Sequence, residues 1–140
     1  MMIRLENLSR TFQVGTGVVR ALDDVSLGIP AGAYIALMGP SGSGKSTLLG
    51  ILGLLDTPSA GAYFLDGVNT STMDDDTLAR TRQQQIGFVF QTFHLVPRMT
   101  ALENVELPML LAGQAPAERR ARAAEALANV GLAERAVHRP

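Results

Sequence analysis

"LMGPSGSGKSTLLG", Leu37 to Gly50, holds the strongest chemical signal in the chain. Gly39 to Ser46 match the spacing G-x-x-x-x-G-K-[ST] at every fixed position. Gly42 and Gly44 allow backbone angles closed to other residues, so successive N–H groups can converge on an anion. Lys45 supplies a mobile positive charge suited to β- and γ-phosphates. The Ser46 hydroxyl suits Mg²⁺, which takes a few protein oxygens together with phosphate oxygens and water. Thr47 can donate to an α-phosphate, and the helix opening here adds its N-terminal dipole. Gly39, Ser41, Gly42, Ser43, Gly44, Lys45, Ser46 and Thr47 are therefore the candidate nucleotide-binding set.

The flanks give this loop its context. Before it, "AYIALM" is a continuous apolar run, too short for a helix and suited to a buried parallel strand. After it, Ser46 to Leu55 read as a helix ended by "DTPSAG". Further upstream, "IRLENL" and "VVRALDDVSLGI" alternate as strands around a "VGTG" turn. Downstream, "AYFLDG" reads as a short strand closing in a turn. "DDDTLARTRQQQ" reads as a polar helix with acidic residues at its start, where the dipole favours them. "IGFVF" is a second buried-strand run, ended by Gln91. Thr100 and Glu103 stand at capping-box spacing and open a helix through about Leu111. Pro116 suits the first turn of a last helix, with Gly131 as its C′ residue.

Composition bounds the function. The chain has 140 residues, 46% of them hydrophobic, with a formal net charge of −1. That balance argues against a nucleic-acid binder working through a broad basic face. There is no cysteine, which excludes a disulfide framework and a thiolate metal site and is compatible with a reducing cytoplasm. The apolar run in "STLLGILGLLD" stops at Asp56, short of the ~20 residues a bilayer core requires. The N-terminus lacks an apolar signal-peptide region. His94 and His138 are far apart and have no ligand cluster around them, so neither reads as a metal site.

These motifs together resemble the first part of an ABC-transporter ATP-binding subunit, from Ile3 to Pro140. "GPSGSGKSTLL" is similar to that family's Walker A and "VFQ", ending at Gln91, to its Q-loop. "LVPRMTALENVELPM" resembles the branch that powers lipoprotein release and macrolide export. On residues alone Phe12 reads as a core aromatic and Gln91 as a polar strand terminus. The resemblance makes Phe12 an adenine-stacking residue, and Gln91 a Mg²⁺ and attacking-water ligand at the hinge to a helical subdomain. It implies an α/β P-loop NTPase with an incomplete RecA-like core, an N-terminal antiparallel β subdomain and part of the helical subdomain. The division expected is 1–91 and 92–140. It also implies ATP and Mg²⁺ as cofactors and a head-to-tail homodimer in the complete protein. Transmembrane permease subunits would be met around 92–109, on the cytoplasmic face of the inner membrane.

Hydrolysis needs more than a phosphate cradle. The one imitation of a Walker B strand, "AYFLD" ending at Asp66, is followed by Gly67 and not by glutamate, and it reads better as a hairpin. Asp74, Asp75 and Asp76 read as a solvated helix start. The LSGGQ signature, the D-loop and the switch histidine are absent from the sequence. The expectation is a nucleotide-binding piece without turnover, and the resemblance implies that its strands 33–38 and 86–90 are separated in the sheet by strands from beyond Pro140. Such a piece is expected to self-associate, to rearrange locally, or to be part of a longer polypeptide. Two rivals are a small P-loop kinase, with Arg119, Arg120 and Arg122 as a lid, and a non-catalytic nucleotide-binding module. The arginines read more simply as a solvated helix face.

Overall fold

The computed structural model describes residues 2–140. They form two compact units, one ending at Phe88 and one spanning Val89–Pro140.

In the first unit, β1 (Ile3–Val14) and β2 (Gly17–Ile29) make a long antiparallel hairpin, closed where Val14 pairs with Gly17. β3 (Ala60–Leu65) takes the other edge of β1, and β4 (Val68–Asn69) pairs with β3. The sheet order is β2-β1-β3-β4. Strict alternation along β1 would put Leu5 and Leu8 on opposite faces, yet both are buried. A register shift between them resolves this. Asn7 takes a left-handed conformation there (φ 47°), and its amide N–H donates to Ser26 Oγ at 2.9 Å.

Asp66 and Gly67, at φ 47° and 82°, join β3 to β4 with both central residues at positive φ. That is the backbone a two-residue hairpin demands. Asp66 is thus a turn residue, in keeping with the hairpin reading of "AYFLDG" and not with a Walker B aspartate.

α1 (Lys45–Leu52) lays Leu48 and Ile51 against Leu5, Leu8, Leu22, Tyr63 and Leu65. It ends sooner than Leu55, because the chain turns at Gly53 and Leu54 adopts φ 54°. The Tyr63 hydroxyl donates to Leu52 O at 3.0 Å, and burial pushes its pKa up to about 12. α2 (Asp75–Gln85) is capped by Asp74, whose carboxylate accepts from Thr77 N–H at 2.7 Å. Asp75 and Asp76 fill the first turn as expected.

The two most apolar strand readings fail as strands. Neither 33–38 nor 86–90 is hydrogen-bonded into a sheet among the described residues. All of 33–38 is exposed, Tyr34 at 98% and Met38 at 85%. A run apolar on both faces becomes a strand only between two neighbouring strands, and neither run is paired with a strand among the described residues, although Ile86 packs against the core and the Phe88 ring stands against Gly53.

In the second unit, α3 (Ala101–Leu111) begins with the expected capping box. Thr100 Oγ1 accepts from Glu103 N–H at 3.2 Å, and Glu103 Oε2 accepts from Thr100 N–H at 2.7 Å. α4 (Pro116–Asn129) starts on Pro116 and buries Ala123 and Leu127. No helix of the described residues is long and apolar enough to cross a membrane.

Candidate functional site

The glycine loop and the start of α1 form one cradle. Gly44 is the N-cap of α1 at φ 84°, and no side chain caps the helix. The N–H groups of the first turn are therefore available to a ligand. A Cβ on Gly44 would run into the carbonyl oxygen of Ala21 on β2. Only glycine lets the loop pass this close to the sheet. A Cβ on Gly39 would stand 2.8 Å from Ser43 Oγ, so at this end the loop closes on itself.

Lys45 is folded over that loop. Its Nζ donates to Gly39 O at 2.8 Å, Pro40 O at 2.6 Å and Ser43 Oγ at 3.3 Å. Val19, Arg20 and Ala21 of β2 and residues 41–47 wall a hollow of about 290 Å³. Ser41, Gly42, Ser43 and Ser46 are exposed on it, and Thr47 is half-buried. Backbone donors, a cationic side chain and small hydroxyls in one concavity suit a chain of phosphates. The fit to Mg²⁺ is narrower. No group of three acidic or histidine side chains gathers among the described residues. The Ser46 hydroxyl alone would contribute one oxygen here, leaving the rest of the shell to phosphate and water.

Phe12 is not a core aromatic. It is 37% exposed and pairs across the hairpin with Val19, itself a wall of the hollow. Gln91 lies in the second unit, in an exposed bend after the 86–90 run. The loop residues and Phe12 thus share the first unit, and Gln91 does not. His94 packs edge-on against Phe90, with ring centroids 4.8 Å apart. Arg119 is not simply solvated. It is half-buried and pairs with Glu106 at 3.3 Å, while Arg122 reaches Gln114 Oε1 at 3.1 Å.

The Arg10–Asp56 ion pair next to Phe12 escaped the sequence reading. Arg10 and Asp56 lie 46 positions apart, and only the loop after α1 brings them together.

The family described as ABC transporter matches residues 22–140. The chain belongs to the ABC transporter family. The macrolide export ATP-binding/permease protein MacB of Marinobacter nauticus is 52% identical over 99% of this chain and 22% of its own length. The uncharacterized ABC transporter ATP-binding protein YvrO of Bacillus subtilis is 50% identical over 99% of this chain and 61% of its own length. This ABC chain thus spans about a fifth of the first relative and about three-fifths of the second. Among solved structures, the ATP-binding cassette MJ0796, described as dimeric, post-hydrolysis and bound to ADP and Pi, aligns with a TM-score of 0.86 at 45% identity. The match covers 99% of this chain and 62% of that one. The fold is therefore that of an ABC cassette, a P-loop α/β domain, and the family binds ATP. The kinase alternative is not favoured.

Proposed function

We propose that this sequence is the nucleotide-gripping part of an ABC exporter subunit, in which MgATP binding and hydrolysis drive export or extraction by membrane subunits. The observation that carries the proposal is the cradle: an uncapped helix start, Gly44 pressed against β2, and Lys45 above the loop. Lys45 exchanges its loop carbonyls for β- and γ-phosphate oxygens, and the N–H groups of 42–46 hold the same phosphates from below. Thr47 donates to the α-phosphate, and Phe12 stacks on the adenine. The Ser46 hydroxyl and the Gln91 amide oxygen would hold Mg²⁺. When bound, Mg²⁺ neutralises charge on the phosphate oxygens. Gln91 also orients the attacking water.

The membrane partner meets residues around 92–109. That reading is supported by the permease named in the MacB relatives and by a hollow of about 530 Å³ at α3, where Glu106 Oε1 is buried without a hydrogen-bond partner. The complete protein pairs head to tail on the cytoplasmic face of the inner membrane. The 140 residues themselves bind nucleotide without turnover.

Calorimetry with MgATP tests the cradle. Lys45→Ala is expected to remove most of the affinity, about 3 kcal/mol for charge-assisted hydrogen bonds. Equal binding by parent and variant defeats the proposal. An assay with labelled ATP separates the readings further: free phosphate from the intact protein indicates the transporter ATPase, and transfer to a metabolite a kinase. Phosphate release by residues 1–140, lost in Lys45→Ala, would refute the lack of turnover.

A further inference from the structure

We infer that Arg10, held by Asp56, is a positioning residue for the base platform: it covers one face of Phe12 and presents the other to the adenine. The inference rests on the proposed stacking role of Phe12.

Arg10 stands two residues before Phe12 on β1. Its guanidinium carbon lies 4.7 Å from the centre of the Phe12 ring. The same guanidinium is fixed from its other side. Nε and Nη2 donate to Asp56 Oδ2 and Oδ1 at 2.9 and 2.7 Å, a two-pronged pair. The two side chains are 23% and 29% exposed, well below an ordinary surface ion pair. Asp56 is itself anchored. Its Oδ1 accepts from Thr57 N–H at 2.8 Å, and its own N–H donates to Gly50 O at 3.2 Å. Gly50 belongs to α1, the helix whose first turn holds Lys45, Ser46 and Thr47. The chain of contacts therefore runs from the phosphate end of the site, along α1, through Asp56 and Arg10, to the aromatic ring.

Two physical effects follow. A half-exposed phenyl ring has rotamer freedom, and a fixed planar cation stacked on one face removes part of it before the nucleotide arrives. The cation also draws on the negative π face of the ring. The opposite face then repels the π cloud of a purine less. Lysine at position 10 keeps the charge and loses the two-pronged grip, so it separates the effects.

The sheet contains its own control. Arg4 sits over Phe64 at 4.0 Å, a stack of the same kind, and neither residue walls the phosphate hollow. Arg4→Gln removes a cation–π contact from the same sheet without touching the base platform.

The test is calorimetry on the intact protein with MgATP and with Mg-tripolyphosphate, which carries phosphates and no base. Arg10→Gln is expected to weaken MgATP binding by about threefold to fivefold, the scale of one cation–π contact, and to leave tripolyphosphate unchanged. Asp56→Asn should give the same pattern in weaker form, Arg10→Lys should restore part of the loss, and Arg4→Gln should change neither ligand. In Phe12→Ala, adding Arg10→Gln should cost nothing more, because the two act as one unit. Equal weakening of both ligands by Arg10→Gln would reduce the pair to a structural brace and overturn the inference. If Phe12→Ala weakens MgATP and Arg10→Gln does not, the Arg10 role falls and the base platform stands. If Phe12→Ala leaves MgATP binding intact, both fall.

Discussion

The antiparallel sheet and the 33–38 run sit in the same unit and could hardly differ more. β1, β2, β3 and β4 carry mixed polar and apolar residues, yet their backbone groups are paired and Leu5, Leu8 and Tyr63 are buried. The 33–38 run is apolar nearly throughout, yet it is exposed from end to end. The same contrast recurs at 86–90, where Ile86 is half-buried and Gly87 to Phe90 are exposed. A strand's burial is decided by its neighbours. β1 and β2, like β3 and β4, find a neighbour one turn away in sequence, whereas a run apolar on both faces needs two flanking strands that its own turns cannot deliver.

The largest effect that could break this comparison is a pair of truncations. Leu8→Ala, at a site with no exposed surface, should cost about 3 kcal/mol in urea unfolding. Met38→Ala, in the exposed run, should stay within about 0.5 kcal/mol for residues 1–140 alone. A large loss at Met38 would mean that a partner chain already covers the run. Light scattering gives the companion result: an uncovered apolar surface invites association, so Tyr34→Lys should lower the apparent mass of any oligomer.

Next in size is a pair of glycines. Gly44 and Gly67 have nearly the same φ, 84° and 82°, but Gly44 faces the Ala21 carbonyl and Gly67 faces open space. Gly67→Ala should cost about 1 kcal/mol from backbone strain. Gly44→Ala carries the same strain and also pushes the loop off β2. It should abolish nucleotide binding in calorimetry as well as lower stability.

The smallest effects belong to the second unit, whose helix start satisfies itself locally. Thr100→Ala should destabilise α3 by about 1 kcal/mol, read from helix content during thermal unfolding. The hydrogen bonds from Thr100 hold the Glu103 carboxyl below its usual value of 4.5. Its folded pKa is depressed, so the contribution is present above the unfolded value and is lost as pH falls through the folded one. Glu103→Gln should flatten that part of the acid limb.

How legible each element was depended on the range of its interactions. The hairpins, the capping box and the Walker loop are specified within a few residues: Thr100 by Glu103, Gly67 by Asp66, Lys45 by Gly39 and Pro40. Their reading needed no tertiary information. The 33–38 and 86–90 runs were legible in composition and misread in state, because composition encodes a need for neighbours without saying where those neighbours are. The bulge at Asn7 was hidden, since it depends on Ser26 and Asp24 across the hairpin. So was the Arg10–Asp56 pair, which spans two elements and leaves no periodic trace.

One detail of the cradle bears on how quickly it can be vacated and refilled. The Lys45 ammonium has three acceptors from its own loop. On the proposed reading, an arriving phosphate chain displaces the carbonyl oxygens of Gly39 and Pro40 from the ammonium. On that reading, binding is an exchange of acceptors around one nitrogen. A lone phosphate competes poorly in such an exchange. A triphosphate, gripped by Lys45 and by the helix start together, competes well. On the proposed reading, the loop favours a longer polyanion over a shorter one before any base is read.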